Sequence, residues 1–588
     1  MTGNLPRIPF MVLRNRGAGD SLVNSVRITN ARVLRTFTKG IDQNLTPALL
    51  HHNQIACFNR DRVKEETTMQ DLIATQVDDR KQAFGLTETQ RELLPLAFGS
   101  FLDSVATATG RGTFYNSREE QAAAVVAAHR DLFDIDRDVY TAALMLPGVT
   151  DYSRQIGVRR LLQTTRDGGI LPAKFEAAAM THLVRGLPTQ RMLKLFGMLR
   201  RDRVNNARTR RLILNEILSA DGLEFWAVKY REKLRVALTH AWGRRTASIL
   251  RSVLAKSTED RSEKESQIVR QNVTRFVRDD AAGRVEQCVR FVLGDETGAT
   301  LGRLAAYRDA KSDFDRGAVL PPETMEGLRS RYHKDRTNAE VLELTTSQLT
   351  TGQKIAVQRK AEQSGVEVDF DPAKYDAVRL YVYAFEMGMT DEIRQALHDK
   401  AEAVAARLPV QFERVGVLID ASQSMIGHDT QARRPIATAL ALRDLLSATA
   451  DDAVAITSDG RAIDSYELVE PSGDTSLAAG LVRLLKSDPD VVFVLSDGYE
   501  NAPAGRFGET VAAVRRIGIQ TPIHQFTPVF AAESQGVRTL SDSVVAMPVS
   551  KPEAIGLGLL KALIESDVDR GVAALFGMTK VAGYLPAA

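Results

Sequence analysis

Val415–Ser424 reads VGVLIDASQS, an apolar run that delivers Asp420 and then places Ser422 and Ser424 at alternate positions. A continuous apolar run ending at an acid predicts a buried parallel strand that brings a carboxylate to the C-terminal edge of a sheet. Open α/β sheets place their ligands at that edge. One carboxylate and two hydroxyls are hard oxygen donors of the kind that Mg²⁺, and after it Mn²⁺, accepts. Asp and Ser are also common turn residues, so this loop alone leaves an ordinary turn open. Two further stretches extend the donor set. Gly473-Asp474-Thr475 stands just before a predicted helix, and VVFVLSDG is a second apolar strand, ending in Asp497. Asp420, Ser422, Ser424, Thr475 and Asp497 then come from three loops at one sheet edge. An octahedral ion needs only a few such oxygens and has room for one external carboxylate. No serine here is paired with a base, so a catalytic serine is not expected, and His428 reads as a solvated loop residue. No Gly-rich phosphate loop follows Val415–Asp420, which argues against a nucleotide-dependent enzyme.

The elements that must position these residues change character along the chain. At 588 residues it is too long for one ordinary core. Residues 1–85 form a basic, irregular segment in which His51, His52 and Cys57 lie close together but lack a fourth ligand and helical spacing. From Thr87 to Arg407 apolar residues recur at three- and four-residue intervals, broken by Gly, Pro, Asn, Asp or Ser. This predicts about fifteen to eighteen helices over residues 86–409, stacked as pairs in an irregular HEAT-like solenoid or ring or packed as one large irregular bundle. Ser257–Asp280 is highly charged and reads as an exposed helix or a connector. After Pro409 strands alternate with helices of about ten to fifteen residues, the pattern of a doubly wound, Rossmann-like α/β domain over residues 410–588.

Two cysteines exclude a disulfide scaffold, and the early Pro6, Arg7 and Pro9 break the N-terminus before a signal peptide core could form. A cytoplasmic protein without membrane association is expected. The net charge of +3 hides an asymmetry. Between Asp151 and Lys256 there are 22 Lys/Arg against 8 Asp/Glu, whereas from Phe412 onward there are 15 against 22. A basic block of this size suggests a polyanionic partner, and solvated helix faces with attraction between the two domains would give the same asymmetry. Its densest part, Glu224–Arg245, sets Lys229, Arg231, Lys233, Arg235, Arg244 and Arg245 among Trp226, Tyr230, His240 and Trp242. Cations bind phosphates and planar rings stack on bases, the usual pairing for single-stranded RNA. The same pattern also fits an amphipathic helix with its rings in the core.

Two family resemblances follow from these stretches. Asp-x-Ser-x-Ser at Asp420, Ser422 and Ser424, then Thr475, then Asp497, resembles the metal-ion-dependent adhesion site (MIDAS) of von Willebrand factor type A domains. That resemblance implies a divalent ion that serves adhesion rather than catalysis and is completed by a partner's acid. AVKYR followed by Leu-x-His at Leu238–His240 looks like the corresponding stretch of Ro autoantigen proteins, the TROVE family, with a shorter interval between Tyr230 and His240. RTRRLILNEI at Arg208–Ile217 resembles the family's preceding basic helix, and DAVRLYVYAFE from Asp376 the helices before the domain change. The resemblance implies Lys229, Lys233 and His240 as RNA contacts. Tyr230 belongs to the same run, and Arg208, Arg211 and Arg231 join on charge. A Ro-like protein would be a non-catalytic, monomeric ring that forms a ribonucleoprotein with small noncoding Y-like RNA and takes misfolded or single-stranded RNA ends. An exoribonuclease or other protein would meet its metal site. The alternative is a metal-dependent adaptor that serves an AAA+ ATPase or another effector, with the helices as scaffold.

Overall fold

The computed structural model describes residues 85–107, 118–349, 353, 370–406, 408, 411–427, 432–528, 538–549 and 551–579. All lie within one compact unit, Glu65–Ala588. The expectations placed on residues 1–84, with His51, His52 and Cys57, and on His428 fall outside the described residues.

Among the described residues, seventeen α-helices lie between Glu88 and Ala405. Their starts follow local chemistry. Asp136 accepts from the N–H groups of Asp138 and Val139, and Asn206 from that of Thr209, so each side chain caps a helix that begins one residue later. Ser262 and Glu265 form a reciprocal capping box that starts Glu263–Asn272, so Ser257–Asp280 holds a short capped helix. Helices pack mainly on near neighbours in the chain, as Ala207–Leu218 does on Arg231–Trp242 and Asp151–Gln163 on Thr189–Arg201. Their apolar faces join one buried cluster that runs from Leu86 to Phe576 and includes part of the α/β core.

The second part is a six-stranded mixed sheet: β1 Phe412–Ile419, β2 Ala450–Thr457, β3 Ala462–Ile463, β4 Val491–Leu495, β5 Ile523–Pro528 and β6 Val545–Val549. Their order is β3-β2-β1-β4-β5-β6. Every neighbouring pair is parallel except β2 with β3. Two residues are too few to show an alternation, which is why β3 has no signal in the sequence. The chain order reverses between β1 and β4, so their C-terminal ends flank the switch-point crevice where such sheets bind ligands. Gly416 keeps β1 close to its cover, because a Cβ there would lie 3.3 Å from Val492 and 3.5 Å from Leu484.

Both ends of the helical part rest on the α/β part. The first helix, Glu88–Thr107, packs on Ile555–Ser566 and Val568–Met578. Lys561 pairs there with Asp103 at 2.9 Å, and Arg91 with Asp569 at 3.1 Å. The last two helices, Ala377–Met387 and Asp391–Ala405, pack on Arg434–Ala448. No described helix is long and apolar enough to cross a membrane.

Candidate functional site

Two places bear on function: the switch-point edge and the basic helices. At the edge, β1 and β4 run in register up to Ile419 and Leu495, so Asp420 and Ser496 emerge side by side. Asp420 is fully buried. Its Oδ1 accepts the Ser422 N–H at 3.0 Å, and its Oδ2 accepts the Ser496 hydroxyl at 2.7 Å. The hydroxyls of Ser422 and Ser424 lie 3.0 Å apart.

Backbone bonds lace the three loops together. The Ser472 N–H donates to Ala421 O at 2.7 Å and the Gln423 N–H to Gly473 O at 3.1 Å, which ties the first loop to the one that carries Thr475. The Thr475 N–H donates to Asn501 Oδ1 at 2.8 Å, which ties Thr475 to the loop after Asp497. Asp497 turns that loop by accepting the Tyr499 N–H at 3.1 Å. The structure thus brings the loops of all five expected donors to one edge.

Burial pushes the Asp420 carboxyl up to about 6, and the nearby Asp497 charge adds to this against the hydrogen bonds from Ser496 and Ser422. Two carboxylates held close, one of them desolvated, together with two adjacent hydroxyls, fit a small divalent cation. The donor set has two acids and three hydroxyls, and among the described residues no group of three or more His, Cys, Asp or Glu is placed to hold a metal ion. Ser496 and Asn501 hold the edge in place and were not singled out in the sequence. Ser458, whose hydroxyl accepts the Ala421 N–H at 3.0 Å, was also missed. Each looks like an ordinary loop residue until the strands are aligned.

The basic helices sort their charges. The Glu224–Arg245 stretch spans the helices Leu223–Lys229 and Arg231–Trp242, with Tyr230 at the joint, and the start of Arg244–Leu254, so the interval from Tyr230 to His240 is helical. Lys229 pairs with Glu323 at 3.1 Å, and its side chain is only 9% exposed. Arg231 donates to the Phe291 carbonyl at 3.0 and 2.7 Å, pairs with Glu296, and lies 4.2 Å over the Phe291 ring. Arg208 pairs with Glu176, which is buried and also holds Arg137. These cations tie helices to one another.

Lys233 and Arg211 are exposed instead, as are Arg200, Arg203, Arg244 and Arg245, and no described acid lies within ion-pair distance of any of the six. His240 is half-buried and directs Nε2 to Val204 O at 3.0 Å, while Asn205 Nδ2 donates to His240 O at 3.0 Å. That contact seats the turn bearing Arg203 against the end of the helix that precedes Arg244 and Arg245. Lys233 and His240 share one helix face, about 10 Å apart along the axis. Trp226, Tyr230 and Trp242 are partly buried against the core, and the Trp242 indole N–H donates to Asn272 O at 3.1 Å. Their rings pack more than they project.

The class defined here is a helical array seated by both ends on a doubly wound α/β part with oxygen donors at its switch point. Among solved structures the chain is similar to the RO (RSR) protein of Deinococcus radiodurans. The match has 16% identity and a TM-score of 0.39, and it covers 85% of this chain and 99% of that one. No family model matches the chain, and no curated protein matches it.

Proposed function

We propose that this chain binds RNA through the basic helical face and a protein partner's carboxylate through a divalent ion at the sheet edge. The observation that carries the RNA reading is the set of exposed cations with no ion-pair partner among the described residues. Arg200, Arg203, Arg211, Lys233, Arg244 and Arg245 are exposed within a segment holding 22 basic and 8 acidic residues. Cations that no described acid holds supply phosphate contacts at no cost of broken ion pairs, and counterion release then dominates affinity. The resemblance of the Lys229–His240 run to Ro proteins extends the reading to small, Y-like noncoding RNA and to single-stranded RNA ends in RNA quality control. Seating both ends of the array on one α/β part supports a ring within a single chain. The α/β part reads as a von Willebrand type A domain with a MIDAS. An ion held by Asp420, Ser422, Ser424, Thr475 and Asp497 would supply an electrophilic position for a partner's acid, and no catalytic step is assigned.

The test is electrophoretic shift with a labelled stem-loop RNA carrying a single-stranded 3′ tail, at low and moderate salt. Lys233→Ala with Arg211→Ala is expected to weaken binding and to lower the salt slope by about one to two ions. Unchanged affinity and slope in this variant and in Arg244→Ala with Arg245→Ala would overturn the assignment of this face.

A further inference from the structure

We infer that Arg538, stacked on Tyr499 beside the Asp497 loop, is a second anion-recognising element that reads an additional carboxylate on the partner segment docking at the sheet edge. This rests on the proposed docking of a partner acid at the ion.

Tyr499 follows Asp497 by two residues and is 45% exposed. The Arg538 guanidinium carbon lies 3.8 Å from the Tyr499 ring centroid. The pair is built into the fold. The side chain of Gln525, fully buried on β5, donates from Nε2 to Arg538 O at 2.8 Å and accepts the Leu540 N–H at 2.9 Å, which fixes the backbone that leaves Arg538. Gly498 has φ +86°, and a Cβ there would lie 2.6 Å from Arg538 O, so only glycine lets the Asp497–Tyr499 turn come this near.

Other arginines of the α/β part are answered by acids, as Arg414 is by Asp488, Arg433 by Glu470, Arg461 by Glu467 and Arg506 by Glu509. Among the described residues no acid lies within ion-pair distance of Arg538. Stacking occupies the face of a guanidinium and leaves its in-plane N–H edges free, the geometry that takes a carboxylate bidentately. The occupant is a short acidic segment and not a polyanion. From Phe412 onward the chain carries 22 acids against 15 bases, which opposes a long run of phosphates. One carboxylate meets the ion and a second meets Arg538.

The experiment uses the full chain with Mn²⁺ and end-blocked, fluorescein-labelled Gly-rich peptides bearing either one Asp or two Asp residues one to three positions apart. Fluorescence anisotropy reads the ratio of the two affinities. In the unsubstituted protein the best two-Asp peptide is expected to bind about tenfold more tightly than the one-Asp peptide. Arg538→Gln is expected to bring that ratio close to one, and Tyr499→Phe, which keeps the ring, to preserve it. If one-Asp peptides bind with Mn²⁺ but the second Asp adds nothing, or if the ratio survives Arg538→Gln, the inference is overturned while ion-dependent docking stands. If neither peptide binds with Mn²⁺, the docking reading fails and this inference with it. Loss of oligonucleotide binding on Arg538→Gln, with no effect on the peptides, would assign the pair to RNA and overturn the inference too.

Discussion

Asp420 follows a strand in full burial near the Asp497 carboxylate, and among the described residues hydroxyl and amide donors answer it. A cation that binds only the folded state stabilises it by mass action, by about 2.7 kcal/mol at a hundred times its Kd. Saturating Mn²⁺ or Mg²⁺ at neutral pH is therefore expected to raise the melting temperature measured by scanning fluorimetry. The rise should vanish in Asp497→Ala, and no rise in the unsubstituted protein would remove the metal from the site. A second residue-scale expectation concerns His129. It is fully buried against Tyr140, its Nδ1 lying 2.7 Å from the Tyr140 hydroxyl, and burial, with Arg160 nearby, lowers its pKa to about 3. The unfolded chain protonates this histidine near 6.5 and the folded one does not. Its contribution is thus full above that value and is lost as pH falls, by about 2 kcal/mol at pH 5. Urea unfolding at pH 7 and pH 5 should show a smaller loss in His129→Gln, a comparison in which other titrating groups cancel.

At the scale of elements, the strand-helix alternation after Pro409 and the helical spacing before it were legible because each apolar run is long enough to show its period. Asp420, Thr475 and Asp497 were legible because each stands beside such a run. The lacing by Ser458, Ser496 and Asn501 was not, since it depends on which strands become neighbours. The same holds for the pairing of Lys229 with Glu323 and of Arg231 with Glu296, partners distant in sequence. Such pairs decide which cations remain for a ligand, and local spacing carries no trace of them. Tight joints are equally invisible. Gly148 lies between the helices Arg137–Leu144 and Asp151–Gln163 with φ +87°, and a Cβ there would fall 2.5 Å from the Ala554 Cα. Backbone on the far side cannot yield as a side-chain tip would. Gly148→Ala is expected to cost about 2–4 kcal/mol, from overpacking and left-handed strain together. Chemical denaturation checks it, and a cost under 0.5 kcal/mol would show that this contact does not hold the elements together.

At the scale of the whole molecule, the two ends of the helical part are fastened differently. The Lys561–Asp103 and Arg91–Asp569 pairs keep partial exposure, and pairs of that kind contribute about 0–1 kcal/mol. At the other end Tyr381, Arg443 and Asp444 are buried together. The Tyr381 hydroxyl donates to Asp444 and accepts from Arg443 Nη2 at 2.9 Å, while Arg443 also donates to Glu467 O at 3.0 Å. Burial, with the Asp444 charge, holds the Tyr381 hydroxyl in its neutral form. Within this trio only the tyrosine comes from the helical part, on Ala377–Met387, so its hydroxyl is a buried polar link across the joint, beside the His398 Nδ1 to Tyr466 hydroxyl contact at 3.1 Å. Removing it leaves a buried carboxylate and a buried guanidinium each one partner short, at about 1–3 kcal/mol. Tyr381→Phe should therefore lower stability well beyond Lys561→Ala. It should also expose the Asp391–Ala405 segment to protease before the sheet unfolds, because the lost link is a buried one between the two parts. Equal stability losses in the two variants, or simultaneous cleavage of helices and sheet in Tyr381→Phe, would show that apolar packing alone carries the coupling.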